Sequence, residues 1–280
     1  MSFAHNVDAL IRKPSMFQAY CLWMSARICG RTPAVRLGAR AQVRAWMSFS
    51  EYYSYRAGVS PAELLLLRRI GAECEGKGVG FDVGANVGLF TCAMGDCGFA
   101  EVHSFEPIPE TFVRLKQNVI ANGLLNLARL NCMAVSDRRG LARFAVSHDS
   151  PGVNRLATAM TPFPHSIQNV ASITLDDYCE EFGVTRIDMA KVDVEGMEEL
   201  VLRGASNLLT RRGIKSILIE ISPVNQPQVG LSIDSLIQQI IASGYQAHKL
   251  LPDGTSGEEL SGDYLRGCLA ENVLLIPAVG

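Results

Sequence analysis

Few features that staple, anchor or export a chain are present in these 280 residues. The eight cysteines (21, 29, 74, 92, 97, 132, 179, 268) contain no C-x-x-C pair. The nearest two, Cys92 and Cys97, have no histidine at zinc-ligand spacing, which argues against a structural zinc site, and no metal is expected. Scattered thiols with no export signal read as a reducing cytoplasm. The opening MSFAHNVD carries no basic cluster leading into an apolar stretch, so a secretory signal is not expected. The longest uncharged run, Leu156 to Leu175, contains Pro162, Pro164, His165, Gln168 and Asn169, a composition ill-suited to spanning a membrane. Charged residues are scarce at 19%, and with 48% hydrophobic residues the chain is too apolar for disorder. Its length suffices to bury a core without staples.

Net charge is −2, but it is unevenly spread. Residues 1–60 carry +6 and the remainder −8. A basic lead segment before an acidic body fits either peripheral contact with an anionic surface or arginines lying against the body or facing water. No aromatic-basic surface of the nucleic-acid-binding kind is evident, so nucleic acid is not an expected partner. The two tryptophans, Trp23 and Trp46, are both N-terminal and fit either a stacking surface or core.

Residues 1–58 read as a helical N-terminal segment, with Arg36, Arg40 and Arg44 four apart on one helix face. Residues 59–280 read as the main domain. Ser60-Pro61-Ala62-Glu63 opens a helix by a capping box with proline at the first helical position. Strands are expected over 79–83, 101–106, 128–135, 141–146, 187–192 and 214–221. Helices are expected over 88–95, 109–122, 175–182, 197–210 and 232–243. The polar stretch 148–172 reads as a long loop, and 246–251 and 272–277 as two final strands paired antiparallel. Strands alternating with helices predict an α/β fold with a mostly parallel sheet covered on both faces.

Three motifs fall at ends of these strands. Phe81-Asp82-Val83-Gly84-Ala85-Asn86-Val87-Gly88-Leu89-Phe90 makes the first strand-to-helix turn, where open α/β sheets bind ligands. Gly84 permits a tight turn and close ligand approach, and Gly88 lets the helix pack near the strand. The spacing D-x-G-x-x-x-G is not the dinucleotide fingerprint G-x-G-x-x-G, which counts against a nicotinamide dehydrogenase. Asp82 sets a negative charge where a pyrophosphate would need none, so a cationic, phosphate-free ligand suits the turn. Ser104-Phe105-Glu106-Pro107 places a carboxylate 24 residues after Asp82, fit to accept both hydroxyls of a ribose. Lys191-Val192-Asp193-Val194-Glu195-Gly196-Met197-Glu198 crowds carboxylates at another strand end. Glu198 and Glu199 suit the start of the next helix, but that leaves Asp193 unexplained.

At these residues the chain resembles the FkbM-type S-adenosylmethionine-dependent methyltransferases. FDVGANVGLF, SFEPIP, Ala134-Val135-Ser136-Asp137, Thr174-Leu175-Asp176-Asp177, KVDVEGMEELVLRGA and ILIEISP occur in that family's order, over roughly residues 79–222. The resemblance implies a Rossmann-like seven-stranded methyltransferase sheet, with its last strand inserted antiparallel, and S-adenosylmethionine as cofactor. Asp82, Gly84, Ala85, Asn86 and Gly88 would then surround the methionine and ribose. Glu106-Pro107 would hold the ribose, Ala134 and Val135 would lie near the adenine, and Asp193 beside the sulfonium and the acceptor. A hydroxyl acceptor loses a proton, and Asp193, Glu195, Glu220 and His165 are the candidate bases. His165 sits in the expected long loop, where it would act from a lid. Family members methylate hydroxyls of sugars, glycolipids and polyketide-type products. The resemblance thus implies an O-methyltransferase acting on a small molecule, with a sugar, glycan or glycolipid first and a polyketide-type metabolite as the alternative. A binding protein that keeps the pocket without catalysis is the other reading.

Overall fold

The computed structural model describes residues 14–29, 34–37, 41–44, 59–147, 154–158, 161 and 165–278. In the N-terminal segment, α1 (Pro14–Ile28) is helical as expected, but the residues beyond it are not. β1 (Ala34–Leu37) and β2 (Ala41–Arg44) pair antiparallel, with Leu37 opposite Ala41. Arg36 and Arg44 therefore stand on two strands rather than one helix face, and Arg40 lies outside the described residues. The cause is a period of two in the apolar residues: Val35, Leu37, Ala41 and Val43 are all buried. They pack with Ala19, Val87, Cys92 and the partly buried Trp23, which makes that tryptophan core. The side chain of Asn122 clamps this hairpin, accepting from Gln42 N–H at 2.9 Å and donating to Gln42 C=O at 2.7 Å. Trp46 and the side chains of all eight basic residues before residue 60 lie outside the described residues.

From residue 59 the described chain resumes at the expected capping box. Glu63 N–H donates to Ser60 Oγ at 3.3 Å, and Ser60 N–H donates to Glu63 Oε2 at 2.6 Å, starting α2 (Pro61–Glu73). Next come β3 (Val79–Val83), α3 (Leu89–Asp96), β4 (Glu101–Phe105), α4 (Pro109–Ala121) and β5 (Ala128–Asn131). After β6 (Ala134–Val135), β7 (Gly140–Ser147), β8 (Arg155–Leu156) and β9 (His165–Ile173) come α5 (Leu175–Phe182), β10 (Met189–Val192), α6 (Glu198–Arg203) and α7 (Ser206–Thr210). β11 (Ile217–Ile221), α8 (Ile233–Ala242), β12 (Tyr245–Leu250), β13 (Ser256–Glu259), α9 (Gly262–Gly267) and β14 (Glu271–Pro277) complete the described chain.

The large sheet has the order β13-β12-β14-β11-β10-β3-β4-β5. Its five strands from β11 to β5 are parallel, and β14 runs antiparallel between β11 and β12. That is the mostly parallel sheet with a reversed inserted strand that the sequence predicts, but with eight strands rather than seven, because β13 adds to the edge of β12. Apolar side chains of α5, α6, α7 and α8 cover one face, and those of α2 and α3 the other. Among the described residues no helix is long and apolar enough to cross a membrane.

Three sequence expectations need correction. The stretch 128–135 is two strands, since β5 joins the large sheet while β6 pairs with β9 in a separate four-stranded sheet, β6-β9-β7-β8. Much of 148–172 is ordered strand: β9 pairs along the whole of β7, from Ser147 opposite His165 to Gly140 opposite Ser172. The helix 197–210 breaks at Gly204, where a Cβ would lie 2.0 Å from the Ser136 carbonyl oxygen. Asp176 then starts α7 by accepting from Asn207 N–H at 2.8 Å and Leu208 N–H at 3.0 Å.

Candidate active site

Parallel strands end together, so the turns after β3, β4, β10 and β11 converge at one sheet edge. A cavity of about 380 Å³ opens there. Its wall includes Asp82, Gly84, Ala85, Asn86, Glu106, Pro107, Ala134, Val135, Asp193, Glu195 and Glu220. Of the residues singled out from the sequence, only Gly88 and His165 are absent from that wall. Gly88 is buried beneath it, and a Cβ there would meet Leu115 of α4 at 2.7 Å. Its small size thus serves helix–helix approach rather than the helix–strand approach expected. His165 opens β9 opposite Ser147, so its expected place in a lid loop is corrected.

The first turn is fixed by its neighbours. Gly84 and Ala85 N–H donate to the Phe105 carbonyl at 3.0 and 2.9 Å. Gly84 has φ +83°, and a Cβ there would fall 1.9 Å from the Asp193 carbonyl oxygen. Only glycine lets the turns after β3 and β10 approach so closely. Asn86, left-handed at φ +49°, donates its N–H to Glu106 Oε2 at 3.1 Å, while Ile108 N–H donates to Glu106 Oε1 at 2.9 Å. Each oxygen of Glu106 thus has one backbone partner and capacity for another. Burial pushes its carboxyl up to about 7 against those two bonds. Asp82, also buried, accepts from Thr91 Oγ1 at 2.5 Å, and burial raises it to about 6.

The opposite end is built from the turn after β10. Glu195 is left-handed at φ +56°, and its Oε2 accepts from Arg155 Nη2 at 3.2 Å and Asn225 Nδ2 at 3.1 Å. Burial, with Asp193 and Glu220 nearby, pushes Glu195 up to about 8 despite Arg155. Glu220, on β11, is raised to about 7 by burial and by Asp193, with Lys191 opposing. Glu198 does more than favour a helix start: fully buried, it accepts from Val194 N–H at 3.3 Å and Gly196 N–H at 3.1 Å through one oxygen. Its other oxygen accepts from Gln226 Nε2 at 3.3 Å, tying the turn to the segment after β11.

Sequence reasoning missed Lys191 on this wall, and missed Arg155 just behind it. Arg155 is 4% exposed and also donates to Gln228 Oε1 at 2.6 Å and Asn225 Oδ1 at 3.3 Å. Its burial carried no sequence signal, because it lies in a stretch read as loop. Lys191 stood inside a quoted motif, and a cation within an apolar strand was the clue available. Among the described residues no group of three His, Cys, Asp or Glu side chains is arranged to hold a metal ion.

The family profile described as Methyltransferase FkbM domain matches residues 82–247. The chain is 28% identical over 185 residues to the 31-O-demethyl-FK506 methyltransferase FkbM of Streptomyces tacrolimicus, covering 56% of this chain and 70% of that protein. It is 29% identical over 157 residues to the hexuronic acid methyltransferase AglP of Haloferax volcanii, covering 56% of this chain and 61% of that one. It is 30% identical over 125 residues to the 2-O-methyltransferase NoeI of Sinorhizobium fredii, covering 40% of this chain and 50% of that one. The match thus spans less than two thirds of the latter two proteins.

Proposed function

The chain belongs to the FkbM family of S-adenosylmethionine-dependent methyltransferases, and from that premise we propose that residues 59–280 transfer a methyl group to a hydroxyl of a sugar, glycan or glycolipid. One observation carries the reading. A single cavity joins the glycine turn and Glu106 to the carboxyl groups of Asp193, Glu195 and Glu220.

The residues present fit the cofactor. Glu106 keeps an acceptor position free on each oxygen, which suits a vicinal diol. Phe105, Met133, Ala134 and Val135 offer an apolar wall for a flat heterocycle. Several carboxyls suit a cationic sulfonium and would repel a pyrophosphate. When bound, S-adenosylmethionine supplies a methyl group activated by the positive sulfur. The protein's own part is alignment, exclusion of water and proton removal. Asp82, Gly84 and Asn86 hold the methionine end, and Ala134 and Val135 face the adenine. Asp193 faces the acceptor hydroxyl and takes its proton, with Glu195 and Glu220 completing the acidic end. Glu195 and Glu220, raised to about 8 and about 7, can receive that proton onward near physiological pH. The hexuronic acid named for the relative in Haloferax volcanii supports a sugar acceptor. The 31-O-demethyl-FK506 named for the relative in Streptomyces tacrolimicus supports the second reading, an alcohol of a polyketide-type metabolite.

The test is thermal unfolding with S-adenosylmethionine, its demethylated product and NAD, and then transfer of labelled methyl to methyl glucuronide, methyl fucoside and a macrolide alcohol. Ligand at 100 times its Kd adds about 2.7 kcal/mol. The first two ligands alone should stabilise, Asp82→Ala should abolish that effect, and Asp193→Asn should lose turnover while keeping it. Stabilisation by NAD alone would refute the reading.

A further inference from the structure

Six charged side chains line the cavity, and five of them are carboxyls. The sixth, Lys191, sits in β10 and is 1% exposed. A buried ammonium costs several kcal/mol unless it is paired and hydrogen-bonded. Lys191 meets that demand with a defined set of partners. Its Nζ donates to Asn272 Oδ1 at 2.8 Å, lies 3.3 Å from Asp193 Oδ2, and stands 5.3 Å from the centre of the Phe90 ring.

Asn272 has its own anchor. Its Nδ2 donates to Glu63 Oε1 at 2.6 Å, and the other oxygen of Glu63 accepts from Ser60 N–H. A carboxamide between an ammonium and a carboxylate has one favourable orientation, oxygen to the cation and NH2 to the anion. The series Ser60–Glu63–Asn272–Lys191–Asp193 is therefore directional. It links the cap of α2 to the acceptor end of the cavity through residues as many as 209 positions apart.

We propose that Lys191 is a positioning residue for methyl transfer: it fixes the carboxylate of Asp193 before the acceptor, and Asn272 and Glu63 fix Lys191 in turn. The inference rests on the reading of Asp193 as the acceptor-facing group. Glu220 supplies a reporter, since it stands opposite Asn272 in the sheet. The charges that face it are Lys191 of β10, Asp193 and Glu195 in the turn that follows, Glu198 from α6 and Arg155 from β8.

The experiment compares wild type with Lys191→Met, Lys191→Arg and Asn272→Leu, each checked for folding by its Tm. Lys191→Met should lower kcat about 100-fold on whichever of methyl glucuronide, methyl fucoside and the macrolide alcohol the wild type accepts. S-adenosylmethionine affinity should stay within about threefold. Lys191→Arg, which keeps charge and donors, should recover about tenfold, and Asn272→Leu should lose about tenfold. In the ligand-free protein, 13C titration of Glu220 should show its midpoint, about 7 in the wild type, rising in Lys191→Met, because the opposing ammonium is gone, and returning in Lys191→Arg. Turnover within threefold of wild type in Lys191→Met would overturn the proposal. So would equal losses of affinity and turnover, or an unmoved Glu220. A wild type that methylates none of the three acceptors refutes the functional reading instead, and a Glu220 midpoint unmoved in Lys191→Met still overturns the role of Lys191.

Discussion

Raising the pH should loosen the free protein while preparing its cavity for a cation, and Glu195 sets the size of the effect. Burial lifts this carboxyl to about 8, against an ordinary value of 4.5. Between those values the folded state holds a proton that the unfolded chain has released. Stability is therefore greatest below pH 4.5 for this group and falls as pH rises through 8. From pH 6.5 to 8 the loss is about 1.5 kcal/mol at face value, or about 1 kcal/mol once water screening of a side chain a quarter exposed is allowed for. Glu106 and Glu220, both near 7, act in the same direction. Buried His103, lowered to about 4 by desolvation, works the other way, mainly between 4 and 6.5, and adds less than about 0.5 kcal/mol above that. Urea unfolding at pH 6.5, 7.25 and 8, for wild type and Glu195→Gln, isolates the contribution. The wild type should lose stability across the series and the variant should lose about 1 kcal/mol less. Wild-type stability that is flat or rising, or an identical slope in Glu195→Gln, would refute the reasoning.

Two further outcomes are expected from the turns around the cavity. Gly84→Ala combines a left-handed backbone, costing about 1–2 kcal/mol, with a Cβ 1.9 Å from the Asp193 carbonyl. It should lower Tm and weaken S-adenosylmethionine binding together, as seen by melting and calorimetry. Arg155→Met should cost about 3–5 kcal/mol in chemical unfolding well above pH 8, where Glu195, its carboxyl raised further by loss of the opposing guanidinium, ionises without its cation. A milder penalty at pH 6, where Glu195 is protonated, is the accompanying expectation.

The parts of the fold legible in the sequence were those fixed by local rules. β3 begins and ends where its apolar run does, and α5 runs between a Thr174 cap and a left-handed Gly183. The Ser60 capping box is likewise a matter of four adjacent residues. What escaped depends on distant pairing. β9 looks like loop because one side of it is solvent-facing and its buried side includes a polar residue: Ile167, Asn169 and Ala171 are exposed while Val170 and Ser172 are buried. Only its ladder with β7 makes it a strand, and composition does not encode a ladder. Arginines four apart suggested a helix at residues 36–44, but burial of alternate residues beside α3 prevailed. The cavity divided in the same way. Its carboxyls and glycines were visible as strand-end motifs, whereas Lys191 and Arg155 acquire meaning only from Asn272, Asn225 and Gln228, which the fold brings from elsewhere.

The reversed strand β14 also sets an order of events during synthesis. It comes after β12 in the chain yet lies between β11 and β12, so β11 keeps one open edge beside β10, and β12 with β13 cannot join the sheet, until residues 271–277 have emerged from the ribosome. Asn272 travels with that strand, and Lys191 waits for it. A nascent chain that has made every glycine and acid of the binding turns still has an open sheet edge and an amine without its amide partner. Chaperone dependence and sensitivity to ribosome stalling should therefore concentrate in the interval between β11 and β14, after the pocket is encoded and before it can close.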